Sequence, residues 1–472
     1  MRRRTRLVAS SVLVVVLAAA AYGTADAYDV VPGVVTLAPV PAPARPFPSA
    51  PGAAAAPELT APLSALDPAA PVPDAARVTA SVRALAADAR LGGSVGVLVE
   101  DQATGEVIAS QDAGTARTPA STAKLLTATA ALSALDPSST LDTRAVRDGT
   151  DGVVLVGGGD MMLAAGAGDS AAVNGRAGLA DLAKQVAREL ALAGTTTVRL
   201  SYDDALFAGP AVNSGWDPAD IPGGYVAPVT ALAVNLAKTR DGENAPRSQS
   251  PSLDAARVFA ADLGAEGITV GTGPSRGTAV AGAAQLGVVR SAPLGEIVAY
   301  FLHASDNTIT EVVARLVAVK AGLPGSFEGA TTAVFAALRR YGIAPDGARL
   351  ADASGLATGS RLSPALLVAL LRATSDPGHP ELRRVAVDLP VAGLSGTLTD
   401  RFTSSTARGL VRAKTGSLET VTALAGTVQD ADGRVLLFVV MADQTPKLGQ
   451  DRPRAAVDDF VTRLAACGCR AG

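Results

Sequence analysis

Residues 118–124 read Thr118-Pro119-Ala120-Ser121-Thr122-Ala123-Lys124 and open an apolar helical pattern that continues to Leu132. Positions i and i+3 share one face of a helix, so the Ser121 hydroxyl and the Lys124 amine become neighbours. At a helix N-terminus Ser121 also meets the free N–H groups and the dipole that stabilise a developing negative charge. Lysine is the informative residue. The chain has six lysines, Lys124, Lys184, Lys238, Lys320, Lys414 and Lys447, among 41 Lys plus Arg. Arg stays protonated at working pH, so a position that must act as a base tolerates only the amine. Alone, Ser-x-x-Lys is a weak signal, because a capping Ser followed by an exposed Lys is spelled the same way.

Two more short motifs stand downstream. Ser305-Asp306-Asn307 follows an apolar helical run from Leu294 to Ala304, a place where Ser, Asp and Asn also serve as an ordinary helix stop. Lys414-Thr415-Gly416-Ser417 ends a strand pattern that begins at Leu410. Gly416 there permits a ligand to approach the backbone, although a strand running into a turn reads the same. The order and setting of all three motifs carry the information that none carries alone. A histidine base for serine chemistry is poorly supplied. The histidines are His303 and His379, the second lies between Gly378 and Pro380, and no G-x-S-x-G elbow is present.

The three motifs together resemble the S-x-x-K, S-x-N and K-T-G set of penicillin-binding proteins and serine β-lactamases. Further stretches narrow the resemblance: Gly157-Gly158-Gly159-Asp160, Trp216 through Tyr225-Val226-Ala227-Pro228 to Leu232, Asp352-Ala353-Ser354-Gly355-Leu356, and Leu389-Pro390-Val391-Ala392-Gly393 before Gly396-Thr397-Leu398. From about Leu91 to Leu464 the chain is similar to the low-molecular-mass class C penicillin-binding proteins, the D-alanyl-D-alanine carboxypeptidases/endopeptidases. The resemblance implies an α+β fold: a β-lactamase/transpeptidase-like antiparallel sheet flanked by helices and split by an inserted α/β domain. On that reading residues 80–141 and 291–472 form the catalytic domain and 142–290 the insertion. The gap from Lys124 to Ser305 is short for the family, which implies that the smaller of two usual inserted domains is reduced or missing. Asp352-Ala353-Ser354 also departs from the commoner D-G-S.

The resemblance further implies a set of roles. Lys124 takes the Ser121 proton as the hydroxyl attacks the carbonyl between two D-alanines, Ser305 relays a proton to the leaving amine, and Asn307 holds Lys124 and the substrate amide. Lys414, Thr415 and Ser417 receive the terminal carboxylate beside Gly416, with the Ser121 and Ser417 N–H groups as oxyanion donors. A free lysine titrates near 10.4, so Lys124 must be lowered by burial and by the second cation, Lys414. The implied partners are peptidoglycan stem peptides, with β-lactam antibiotics as covalent inhibitors, and no metal or organic cofactor is required. The alternatives left open are a serine β-lactamase, which shares the acylation chemistry, and a non-catalytic cell-wall-binding protein that keeps the fold.

Composition bounds the rest. At 472 residues the chain is long enough for more than one core. A net charge of -3, from 41 basic and 44 acidic residues, offers no surplus to neutralise phosphates, so nucleic acid is not an expected partner. Arg2, Arg3, Arg4 and Arg6 precede an apolar run from Leu7 to Tyr22 and the small-residue triplet Ala25-Asp26-Ala27. Residues 1–27 therefore read as an export signal, with an uncleaved membrane anchor as the alternative. Residues 28–79, rich in Pro and Ala, read as an extended tether. Cys467 and Cys469 cannot build a zinc site by themselves; they either pair with each other or form a tail of no functional weight.

The periodicities predict a helix near Ala80–Leu91, strands at 94–100 and around Val107-Ile108, and strands at 410–414, 421–428 and 434–441 with a final helix over 454–466. Within the middle they predict strands at 153–156 and 198–201 and a helix over 179–192.

Overall fold

A computed structural model describes residues 2–28, 30–32, 37, 67, 69–447 and 449–467. It divides into two units, 1–65 and 66–472. In the first, a helix spans Arg2–Ala27 and runs through the Ala25-Asp26-Ala27 triplet. Among the described residues no helix is long and apolar enough to cross a membrane. Most of the Pro/Ala-rich stretch lies outside the described residues, as does Cys469.

The second unit is built on an antiparallel sheet that joins the two ends of the chain. Its strands are β1 (Val95–Asp101), β2 (Val107–Gln111), β3 (Val411–Leu418), β4 (Val421–Gln429) and β5 (Val435–Ala442), in the order β3-β4-β5-β1-β2. Val97 pairs with Val440 and Val99 with Phe438, so the N-terminal strand closes against the last one. Val95, Val97 and Val99 alternate as the sequence predicts, but all seven residues of β1 are buried. The physical reason is a helical layer on each face. The valines point into a core shared with Val78, Val82 and Leu85 of the helix Ala75–Ala86 and with Val457, Phe460 and Val461 near the C-terminus, whereas Leu98 joins a larger core of helices on the other side. The helix Ala75–Ala86 starts before Ala80 because Asp74 caps it, accepting from the N–H groups of Ala76 and Arg77.

Four helices of this unit position the site: α1 (Lys124–Ala134), α2 (Leu294–Ala304), α3 (Asn307–Lys320) and α4 (Asp451–Ala465). The first three pack through Leu125, Leu126, Ile297, Phe301, Ile309 and Val313 in the larger core, and α4 covers the opposite face of the sheet through Val457, Phe460 and Leu464.

Strands Asp142–Asp148, Gly152–Val156, Thr197–Asp203 and Gln285–Arg290 belong to a second sheet of mixed pairing. Helices Leu179–Leu192 and Pro251–Ala265 bury Leu182, Val186 and Phe259 in a separate core with Leu155 and Leu200. The stretch between these strands behaves differently. Trp216, Ile221, Val226 and Leu236 return to the large helical core beside α1 and α3, which brings the segment 216–236 to the rim of the site.

Candidate active site

Ser121 sits on a single tight turn, Ala120–Ala123, that leads directly into α1. Ala120 adopts a left-handed φ of 47°, an uncommon conformation for a residue with a side chain, maintained here by its surroundings. Gly355, itself at φ 78°, lies so close that a Cβ there would collide with the Ala120 carbonyl oxygen. Gly416 approaches from the other side, where an added Cβ would stand 2.7 Å from the Pro119 carbonyl oxygen. The turn that carries Ser121 is clamped between two glycine-bearing segments.

Lys124 is fully buried beneath it. Its Nζ lies 2.9 Å from Ser121 Oγ, 2.6 Å from Asn307 Oδ1 and 2.9 Å from the Ser354 carbonyl oxygen. The last two atoms can only accept, so they take two N–H groups. A neutral amine then has one lone pair left, facing the Ser121 hydroxyl. Burial lowers Lys124 to about 8 from its ordinary value of 10.5, against the nearby carboxylates of Asp352, Asp306 and Glu311, which hold it up.

Ser305 ends α2 in a left-handed conformation, φ 57° and ψ 28°, and Asp306 caps α3 by accepting from the Ile309 N–H. The second motif is thus a sharp link between two helices, with Asn307 as the first residue of the second. Asn307 Nδ2 donates to the Tyr225 carbonyl at 2.9 Å, which fixes Oδ1 toward Lys124. Lys414, fully buried in β3, places Nζ 2.8 Å from Ser305 Oγ and donates to the Thr415 carbonyl at 2.9 Å. Burial, and then the charge of Lys124, lowers Lys414 well below its ordinary value. This reverses the direction the sequence led us to expect. Burial is what lowers Lys124, and the repulsion between the two amines falls on Lys414. The third motif lies in the last half of β3, at the end of a strand as the sequence predicts, and the pairing with β4 runs to Leu418 and Val421.

All eight residues singled out by the sequence meet at one place. Ser121, Ser305, Asn307, Thr415, Gly416 and Ser417 line a cleft of about 800 Å³, and the two lysines lie under its floor. Thr415 Oγ1 is 2.9 Å from Thr397 Oγ1. Among the described residues no cluster of His, Cys, Asp or Glu could hold a metal ion.

Sequence reasoning missed several supporting groups. Glu311 is buried in α3, and its Oε1 accepts from the N–H groups of Ala353 and Ser354 at 3.0 and 2.7 Å, which aims the Ser354 carbonyl at Lys124. Burial, with the charge of Asp352 adding to it, pushes Glu311 up to about 8. Asp352 accepts from Trp216 Nε1 at 2.8 Å, Ala357 N–H at 2.9 Å and Gly355 N–H at 2.8 Å. Ala353, at the position where D-G-S has Gly, is buried and leaves these contacts in place. Arg247, also buried, donates to the Gly224 and Leu236 carbonyls and sets its NH2 3.6 Å from Asp306 Oδ2, tying the middle segment to the second motif. Trp216 and Asp352 stood inside the recognised stretches. Nothing marked Glu311 or Arg247, since their partners are main-chain atoms or lie far away in sequence.

Comparison with known proteins agrees with this geometry. Residues 78–245 and 237–466 match the D-Ala-D-Ala carboxypeptidase 3 (S13) family. The chain is 39% identical over 408 residues to carboxypeptidase Rv3627c of Mycobacterium tuberculosis, covering 84% of this chain and 85% of that one. It is 38% identical over 414 residues to carboxypeptidase DacB of Mycolicibacterium smegmatis, covering 86% and 87%. Among solved structures, penicillin-binding protein 4 (dacB) of Haemophilus influenzae superposes with a TM-score of 0.67 at 21% identity, covering 83% of this chain and 98% of that one, a likeness of fold. With its serine and lysine in one buried-floored cleft and its sequence matched along most of its length, the chain belongs to the D-Ala-D-Ala carboxypeptidase 3 family, S13.

Proposed function

We propose that this chain is a serine-type D-alanyl-D-alanine carboxypeptidase/endopeptidase of peptidoglycan stem peptides, acylated on Ser121 by its substrate and by penicillins. The observation that carries the reading is the contact set of Lys124: two acceptors and one hydroxyl around a buried amine. In acylation Ser121 Oγ attacks the carbonyl between the two D-residues and its proton passes to Lys124 Nζ. The oxyanion is held by the N–H groups of Ser121 and Ser417. As the C–N bond breaks, Ser305 Oγ gives its proton to the leaving amine and is resupplied with the proton that Lys124 took from Ser121, so that Lys124, kept in place by Asn307, is neutral again. Water then attacks the acyl carbonyl, neutral Lys124 takes a proton from it, and that proton returns to Ser121 Oγ as the ester bond breaks and the acid is released. Thr415, Gly416 and Ser417 shape the side of the cleft that meets the leaving residue's carboxylate.

The arginine cluster, apolar run and small-residue triplet at the N-terminus support export, which puts the enzyme outside the cytoplasm where stem peptides are found. The separate core of the middle segment supports residues 142–290 as an insertion in a catalytic domain of 80–141 and 291–472, with 1–27 as signal or anchor and 28–79 as tether.

Mass spectrometry after incubation with benzylpenicillin tests the assignment. A covalent adduct on a peptide containing Ser121, absent in Ser121→Ala, is the expected result. No adduct, or an undiminished one in the variant, overturns it. The lifetime of the adduct separates a peptidase from a β-lactamase: long-lived for the former, seconds or less for the latter.

A further inference from the structure

Arg247 belongs to the middle segment, yet its guanidinium lies against the second motif. Its side chain is 4% exposed and that of Asp306 9%, with NH2 and Oδ2 3.6 Å apart. Nε donates to the Gly224 carbonyl at 3.1 Å and NH1 to the Leu236 carbonyl at 2.8 Å, while the Arg247 main-chain N–H donates to the Ile221 carbonyl at 3.0 Å. One residue thus ties Ile221, Gly224 and Leu236 together at the rim of the site. Next to Gly224 stands Tyr225, whose carbonyl accepts from Asn307 Nδ2, and the other end of that amide accepts from Lys124. Arg247 heads a short series of contacts that ends on the buried amine.

A buried ion pair adds little net stability, because desolvation offsets the attraction. Its effect on neighbouring charges is larger. The carboxylates that favour protonated Lys124 are Asp352, Asp306 and Glu311, and Lys414 is the other amine beside it. Asp352 is held by the N–H groups of Trp216, Gly355 and Ala357, and Glu311 by those of Ala353 and Ser354. Among the described residues, Asp306 is the one of these three that has an arginine within 4 Å. Its Oδ1 accepts from the Ile309 N–H at the start of α3, which leaves Oδ2 to the guanidinium. Tyr300 of α2 also faces the pair: burial pushes its phenol up to about 12, with Asp306 adding to the shift and Arg247 opposing it. We infer that Arg247 is a positioning residue of the acylation site, masking the charge of Asp306 toward Lys124 and fixing the Tyr225 carbonyl that orients Asn307. The inference rests on the peptidase reading above and makes the middle segment a working part of the site.

The experiment reads the pH midpoint of acylation by a fluorescent penicillin in the full chain, in Arg247→Met, in Asp306→Asn and in the double variant, with Arg247→Lys as the conservative change. Without the cation, Asp306 is unmasked and Lys124 holds its proton more strongly. Arg247→Met is therefore expected to move the midpoint up by about 0.5–1 unit and to slow acylation at pH 7 by roughly three- to tenfold. Asp306→Asn keeps an oxygen for the Ile309 N–H but removes the negative charge, so the midpoint should move down by about the same amount. The double variant removes both charges and is expected within about 0.3 unit of the unaltered chain. Arg247→Lys, which keeps the cation, should stay nearer to the unaltered chain than Arg247→Met. A role in folding alone would lower the melting temperature and leave one midpoint common to all. Midpoints that do not move, or that move the same way in the two single variants, overturn the inference. If Arg247→Met does not fold, Asp306→Asn decides: a lowered midpoint supports the masking role and an unchanged one refutes it. If the unaltered chain takes no adduct at any pH, the peptidase reading fails and takes this inference with it. An adduct on Ser121 with the same midpoint in every variant leaves that reading standing and overturns the inference alone.

Discussion

Asn307 Oδ1 and Lys124 Nζ, 183 residues apart in the chain, stand 2.6 Å from each other in the buried floor of the cleft. The amide must accept here, because its Nδ2 is already committed to the Tyr225 carbonyl. A neutral acceptor orients the amine without fixing its charge. Replacing it by a carboxylate of the same shape, Asn307→Asp, favours the protonated amine and raises its pKa. Acylation by a fluorescent penicillin at pH 7 should therefore fall by at least about tenfold and its pH profile move up by about one unit. An unshifted profile would mean that Lys124 is not the titrating base.

On the proposed mechanism the free amine of Lys124 is the active form, and its proton is lost near pH 8. The acylation rate is expected to rise from pH 6, pass half its maximum near pH 8 and level off beyond it. Lys124→Arg keeps a cation of similar length but removes the base, so the rate should drop by roughly 10²–10⁴ at every pH. Stopped-flow acylation between pH 6 and 10 reads both results.

Gly355 and Ala120 press together through a glycine whose φ is positive and a carbonyl oxygen that leaves no space for a Cβ. Gly355→Ala must shift one of the two segments, which moves either Ala120 next to Ser121 or the Ser354 carbonyl that faces Lys124. A destabilisation of at least about 2 kcal/mol in urea titration is expected, together with slower acylation in the fraction that remains folded.

Glu311 titrates near 8 in the folded protein against about 4.5 in an exposed carboxyl. A raised pKa contributes stability in full below the unfolded value, and that stability is lost as the pH climbs through the folded one. Glu311→Gln keeps an acceptor for the Ala353 and Ser354 N–H groups while removing the titration. The difference in stability between variant and wild type should thus move in favour of the variant from pH 5 to pH 9, by roughly 3–5 kcal/mol. Melting curves across that range check the sign, since other titrating groups act on both proteins alike.

What could be read in advance was whatever depends on local spacing. The i, i+3 relation of Ser121 and Lys124 and the helices Leu179–Leu192 and Leu294–Ala304 lie where periodicity places them. The union of three motifs in one cleft required the resemblance, because no local rule brings Lys414 to Ser305 across 109 residues. Other features escaped for definable reasons. The Ser354 carbonyl carries no sequence signature, and Ser305 in a left-handed conformation contradicts its residue type. Glu311 looks like any helix-surface carboxylate until the loop at Ala353 and Ser354 closes over it. The pairing of Arg247 with Asp306 depends on a segment that leaves the large core, builds another and comes back.

The hairpin that carries Lys414 has only Glu419 and Thr420 between its last paired residues, Leu418 and Val421. Because neighbours along a strand face opposite ways, a slip of one position would swing the amine out from under Ser305 and bring Ala413 or Thr415 into its place. This short connection therefore acts as a gauge for the whole catalytic array. An insertion of a single residue here that slips the register is expected to displace Lys414 from Ser305 and to turn over the buried face of β3 with it.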